Sequence, residues 1–175
     1  MANVRQYKGL VTASEVITNS FTNQATDTAL ISDNLIEIAE LAHIKSELGL
    51  DFYEELKTQN NGSTLTTDNQ ALMTDYLIPC LCWFVRFEAL NEIQYQTSSS
   101  GLVSNLDEFS TPVPPEVFNQ MKQDTYRKAK VFLDDMIAFI THADQVNKYP
   151  LYGQDGDNSM PDTDNATKLG GIIFY

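Results

Sequence analysis

Hydrophobic residues recur along this chain at helical spacing, in long stretches separated by polar breaks. Between about residues 27 and 48, Ile31, Leu35, Ile38 and Ala42 fall on one stripe, which Leu41, Ile44 and Leu48 widen. Gly49 follows as a helix-ending residue that tolerates positive φ, with Leu50 placed to fold back on the last turn. Asp51 then caps a short helix over residues 52–58, with Phe52 and Leu56 on one face, and Asn60-Asn61-Gly62-Ser63 ends it. Upstream, Thr12-Ala13-Ser14-Glu15 has the form of a capping box, in which hydroxyl and carboxylate satisfy free backbone donors. Val16, Ile17 and Phe21 anchor a short helix there, and residues 1–11 read as an irregular arm.

Thr67 with Gln70 repeats the capping-box pattern and opens a helix running to about Gln96. Its middle, Tyr76 to Val85, is apolar on nearly every side, as expected of a helix surrounded by other structure. Pro79 removes one backbone donor there and predicts a kink. Arg86 and Glu88 follow at once and need partners if burial continues. Residues 97–115 form a break, with Ser98-Ser99-Ser100-Gly101 at its start and Thr111-Pro112-Val113-Pro114-Pro115 at its end. Leu102, Val103, Leu106 and Phe109 make it more apolar than a plain linker and mark it as a loop for contact with a neighbouring subunit or with its own bundle. A last helix starts near Pro115, with Phe118, Met121, Thr125, Ala129, Phe132, Met136, Phe139 and Ala143 stepping by three or four.

The pattern stops at Tyr152. Residues 153–168 are acidic and nearly free of hydrophobes, and read as a linker. Leu169, Gly170, Gly171, Ile172, Ile173, Phe174 and Tyr175 then form an apolar, strand-like segment. Such a strand adds to another sheet edge, or the segment folds back on its own bundle. The expected fold is therefore all-α. It is a small helical bundle over residues 12–152 with a buried central helix, an extended N-terminal arm and an extended, strand-like C-terminal tail.

Composition narrows what the bundle does. The formal net charge is −13, from 11 basic and 24 acidic side chains, whereas nucleic-acid binding usually needs a basic surface, so sequence-reading DNA or RNA binding is not expected. No apolar run reaches the roughly 20 residues of a membrane span, and residues 1–10 lack the apolar core of a secretory signal.

Cys80 and Cys82 sit two apart in the apolar run and point in different directions, as buried thiols of a reducing compartment. His43 and His142 each fall among apolar neighbours outside any ligand pattern, and read as structural. Asp155, Asp157 and Ser159 begin the alternation of a calcium loop, but Met160 stands where glycine is required and Ala166 where glutamate is required. Glu54–Glu55 and Asp134–Asp135 are adjacent on helices and read as solvated faces. No catalytic residue, metal site or cofactor is expected, and the chain reads as a non-enzyme.

Several segments in order carry a resemblance. They are Leu30-Ile31-Ser32-Asp33-Asn34-Leu35, then Leu48-Gly49-Leu50-Asp51-Phe52-Tyr53-Glu54-Glu55-Leu56, then Tyr76-Leu77-Ile78-Pro79-Cys80-Leu81-Cys82-Trp83, then the lysine-containing last helix, and finally Tyr149-Pro150-Leu151-Tyr152. Over residues 12–152 the chain resembles the head–tail adaptor, or head-completion, proteins of tailed bacteriophages, closest to those of crAss-like phages.

The resemblance implies a structural virion protein, made in the host bacterial cytoplasm and placed at the head–tail junction. Copies form a ring, commonly dodecameric, between the portal protein and a further tail or ring protein. DNA passes through without sequence-specific binding, and no membrane is involved. An extended terminal segment threads into the portal in such adaptors, a role that suits Leu169 to Tyr175. The alternatives are a monomeric helical protein-binding module of a phage or its host, and an enzyme with an acidic metal site near Asp155 to Asp164.

Overall fold

The computed structural model describes residues 7–21, 26–98, 101–104, 114–145 and 147–153, with backbone alone for 94–98 and 101–104. Apart from one short hairpin, its regular elements are helices, so the chain is all-α as expected. Helix α1, Ala13–Ser20, opens on the expected capping box. Thr12 Oγ1 accepts from the Glu15 amide, and Glu15 accepts from the Thr12 amide at 2.7 Å. A single turn of 3-10 helix, Thr28–Leu30, leads into α2, Asp33–Ala39.

Helix α2 does not continue regularly. Glu40–Ile44 form a π-helical turn, closed by the Lys45 amide on the Glu40 carbonyl, before α3, Lys45–Leu48. A π turn holds more residues per turn than an α-helix, so it re-aims every side chain beyond it. The buried face is Ile31, Leu35, Ile36, Ala39, Glu40, Ile44 and Leu48. Ile38 and Leu41, expected on the inner stripe, are 49% and 46% exposed, and Ala42 is exposed too.

Gly49 takes the expected positive φ of 83° with ψ of 161°, a conformation that side-chain-bearing residues avoid. It is followed directly by α4, Leu50–Gly62, longer than the expected 52–58. Leu50 therefore does not fold back. It starts the next helix and is largely exposed, while Asp51 lies inside the first turn rather than capping it.

Helix α5, Thr67–Leu72, is capped by Thr66, one residue before the expected Thr67. Thr66 Oγ1 accepts from the Asn69 amide at 3.2 Å. Gln59 of α4 bridges the junction, accepting from the Thr66 amide and from Asn69 Nδ2 at 2.9 Å.

A second π turn, Met73–Leu77, runs into α6, Ile78–Gln94. Pro79 stands at its exit. A proline leaves a carbonyl in the preceding turn without its donor, and the wide turn absorbs that mismatch inside a continuous helix. Leu77, Cys80, Leu81, Cys82, Phe84, Val85 and Ala89 are all buried, and α6 contacts α1, α2 and α7. It is the central helix that its all-round apolar sequence predicts.

At the start of the stretch 97–115, expected to be irregular, the chain forms an antiparallel hairpin, while residues 105–113 lie outside the described residues. Strands β1, Tyr95–Ser98, and β2, Gly101–Ser104, pair Gln96 with Val103 and Thr97 with Leu102. Helix α7, Pro115–Thr141, buries Phe118, Thr125, Ala129, Leu133, Met136 and Ile140. This face is rotated from the expected stripe, so Met121 is exposed and Phe132 and Phe139 lie at the edge. Ala143 falls beyond the helix, exposed in the turn that follows.

The body closes with residues 149–152. Tyr149 donates to the Asp68 carbonyl at 3.1 Å. Its ring meets Phe52 and Phe139 at 5.8 and 6.1 Å, and Tyr76 stacks on Phe139 at 4.2 Å. No helix of the described residues is long and apolar enough to cross a membrane.

Candidate functional site

Two side-chain clusters stand out, and both depend on the π turn of residues 40–44. The first lies under the N-terminal arm. Glu40 is wholly buried yet fully engaged. Its carboxylate accepts from the Leu10 amide at 2.5 Å, from Tyr53 Oη at 2.9 Å and from Tyr7 Oη. Lys57 Nζ donates to both phenols, at 2.9 and 3.0 Å, and stands 3.9 Å from the carboxylate.

Gly9 packs so tightly here that a Cβ would lie 2.7 Å from both Glu40 Oε1 and Ile36 Cγ2. Burial, with the hydrogen bond to Glu40 next in weight, raises the Tyr7 phenol far above its usual range, and burial raises Tyr53 likewise. The cluster is a structural clamp. Both carboxylate oxygens of Glu40 are engaged, and the clamp fastens an otherwise irregular arm to α2 and α4. Beside it lies a shallow cavity of about 400 Å³, bordered by Lys8, Asp33 and Asn60.

The second cluster fills the seam between α6 and α7. His43 Nε2 meets Glu88 Oε1 at 2.9 Å, and its ring stacks on Phe84 with centroids 4.1 Å apart. Phe87 and Tyr126 face each other at 5.1 Å, and both rings approach His43 edge-on. Outside these rings the seam opens into a groove of about 470 Å³ lined by Phe87, Asn119, Lys122, Gln123 and Tyr126. The Lys122 ammonium lies 5.1 Å from the Phe87 ring centroid. Aromatic walls, two amides and one ammonium suit an apolar or aromatic side chain with polar surroundings.

A third arrangement secures α1 to the bundle. Arg86 lies between the rings of Phe21 and Trp83, at 4.8 and 5.2 Å, and donates to the Ser20 carbonyl. Its Nε, also buried, meets no acceptor among the described residues. Lys128 covers Trp83 at 4.8 Å. Glu88 thus finds a partner in His43, and Arg86 finds two rings and one carbonyl.

His43 is a satisfied structural histidine, as its sequence context predicts. His142 is not: it caps the end of α7 in solvent, where Nδ1 accepts from the Asp144 amide at 3.3 Å. Cys80 and Cys82 are buried free thiols, and burial raises both, Cys82 to about 12. Asp134 and Asp135 are solvated as expected, but Glu55 is half-buried and accepts from Gln59 at 2.6 Å. No group of three or more His, Cys, Asp or Glu side chains with metal-holding geometry occurs among the described residues.

Of the expected contact residues, Leu102 and Val103 fall on strand β2. Leu106, Phe109 and Leu169 to Tyr175 lie outside the described residues, as do Asp155 to Asp164. Sequence reading missed both the clamp and the groove. Glu40 among apolar helix neighbours is the signal that marks the clamp.

No curated protein matches the chain, and neither does any solved structure. Residues 44–161, more than half of the chain, match the model of a family of unknown function (DUF6712), and the chain belongs to that family.

Proposed function

We propose that this chain is a structural virion protein of a tailed bacteriophage. It forms a ring between portal and tail and docks on the portal through Leu169 to Tyr175. The observation that carries the reading is the closure of the body at Tyr149–Tyr152. Tyr149 is bonded to Asp68 and packed on Phe52, so the described body is closed by its own residues at this end. An apolar segment beyond an acidic linker then serves a partner.

The hairpin supports the same reading. Two strands alone are marginal in water, and β1–β2 has a free edge on each side among the described residues. A neighbouring copy in a closed ring supplies pairing for such edges. The role we propose is mechanical rather than enzymatic.

The test is to mix the chain with portal protein and to measure assembly by electron microscopy and native mass. Rings seated on portals are expected, and deletion of residues 169–175 abolishes seating. A chain that stays monomeric beside portal defeats the proposal. The groove between α6 and α7 favours a second reading, a monomeric peptide-binding module, which predicts that persistent monomer.

A further inference from the structure

We propose that two faces of this bundle bind each other across neighbouring copies, the α7 face of one copy on the α2–α4 face of the next. This deepens the proposed ring and rests on that reading. Among the described residues, exposed large hydrophobics fall on two stretches alone. One holds Leu30, Ile38, Leu41 and Leu50, from the 3-10 turn to the start of α4. The other holds Val117, Met121, Tyr126 and Val131, all on α7. On the first face, Asn34, Ile38, Leu41, Ala42 and Ser46 are exposed at helical spacing with no charged residue among them. On the second, Val117 and Met121 stand one turn apart, and Lys128 and Val131 continue the same side. An apolar centre with charges around it is the anatomy of an interface.

Charge decides which surface each face takes. Residues 30–54, the buried Glu40 aside, carry Asp33, Glu37, Glu47, Asp51 and Glu54 against Lys45. Residues 117–131 carry Lys122, Arg127, Lys128 and Lys130 against Asp124, in a chain of net charge −13. Arg127 and Lys130 each meet an exposed aspartate at 3.6 Å, Asp124 and Asp134, in pairs that contribute little in water. Lys122 and Lys128 lie over the rings of Phe87 and Trp83 and have no carboxylate partner among the described residues. Arg86, which shares the Trp83 ring with Lys128, has none either. On the α2–α4 face, Asp33, Glu47 and Glu54 form no ion pair with a cation among the described residues.

Each face therefore lacks the charge that the other offers, and a second copy of the chain supplies it. Two α2–α4 faces set together would bring carboxylates onto carboxylates, and two α7 faces cations onto cations, so a two-fold pairing is opposed. Joining unlike faces is a head-to-tail contact, the kind that repeats from copy to copy and closes into rings. It also lets a chain of net charge −13 assemble, because its few unpaired cations meet carboxylates at each junction. DNA meets the repulsion of the whole molecule and has no use for the apolar centre of the face.

The experiment uses the full chain carrying Met121→p-benzoylphenylalanine, irradiated at low salt, alone and with portal protein. Equal amounts of light and heavy nitrogen label are mixed beforehand. The expected product joins position 121 to residues 30–54, with light–heavy pairs at the share that random pairing gives. Lys122→Glu with Lys128→Glu, and separately Asp33→Lys with Glu54→Lys, should each lower the yield at least about fivefold with unchanged circular dichroism. Mixing the two variants should restore it, because every junction then joins faces of opposite sign. Same-label products alone, capture outside residues 30–54, a yield indifferent to both variants, or a mixture without restoration each overturn the proposal. Loss of the product to short duplex DNA assigns the face to nucleic acid and also overturns it, as does the absence of product both alone and on the portal. Rings seated on portals with capture elsewhere leave the ring reading standing, and capture on residues 30–54 without seating on portals leaves this contact standing.

Discussion

The phenol of Tyr53 donates to the carboxylate of Glu40 across 2.9 Å, tying α4 to the wide turn of α2 at a point wholly removed from solvent. The buried polar contacts of Tyr7 and of the Leu10 amide converge on this pair. Glu40→Ala leaves a backbone amide, two phenols and an ammonium facing a hole, and should cost about 3–5 kcal/mol. Tyr53→Phe removes a single bond to a carboxylate and should cost about 1.5–3 kcal/mol. Urea unfolding monitored by circular dichroism checks both. Equal small effects would show that the clamp contributes little.

The same cluster sets a response to alkali. Burial raises the phenols of Tyr7 and Tyr53 well above their ordinary value of 10.0. A tyrosine whose folded pKa exceeds its unfolded one contributes its full stabilisation below about pH 10 and loses it as pH rises through the folded value. The urea midpoint should therefore fall once pH passes about 10. A Tyr7→Phe, Tyr53→Phe double variant should show a shallower fall over the same range.

Burial raises the thiols of Cys80 and Cys82, so the native chain should resist thiol reagents near neutral pH. Modification should run on the order of a thousandfold slower than in denaturant, because it waits for the bundle to open. Rapid labelling of either cysteine in native buffer would show that α6 is not held as described.

Arg86 bridges Phe21, Trp83 and the Ser20 carbonyl, and so carries α1 on α6. Arg86→Ala should destabilise the fold by about 1–3 kcal/mol and speed amide exchange most in residues 13–20. Uniform acceleration along the chain would contradict that local role.

The start of α5 offers a comparison of adjacent threonines. Thr66 is the cap, so Thr66→Ala should cost about 1 kcal/mol and Thr67→Ala a few tenths. The reverse order would support the capping box that the sequence alone places at Thr67.

That pair of threonines shows where the sequence was legible. Element type followed hydrophobic period, so the buried α6, the Thr12–Glu15 box and the break at Gly49 were all readable. Facing was harder. The buried face of α2 is centred on Ile36 and Ala39, which puts Ile38 and Leu41 outside and Glu40 inside, and the π turn at Glu40–Ile44 then keeps Ile44 and Leu48 on that face. The hairpin was hidden because Ser98 to Gly101 reads as a flexible break, although Leu102 and Val103 carried a strand's residue types. The groove was unreadable for another reason: Phe87 and Tyr126 lie far apart in sequence and meet only when α6 and α7 pair.

The clasp between Tyr149 and Asp68 also draws an engineering boundary. A fluorescent or affinity module fused after Gly153 should leave every described contact of the bundle in place. A chain cut before Tyr149 would bare Phe52 and Phe139 and strip the start of α5 of its outer partner. In the proposed assembly, the length of residues 153–168 would then act as a ruler between the bundle and its partner, adjustable independently of the described contacts.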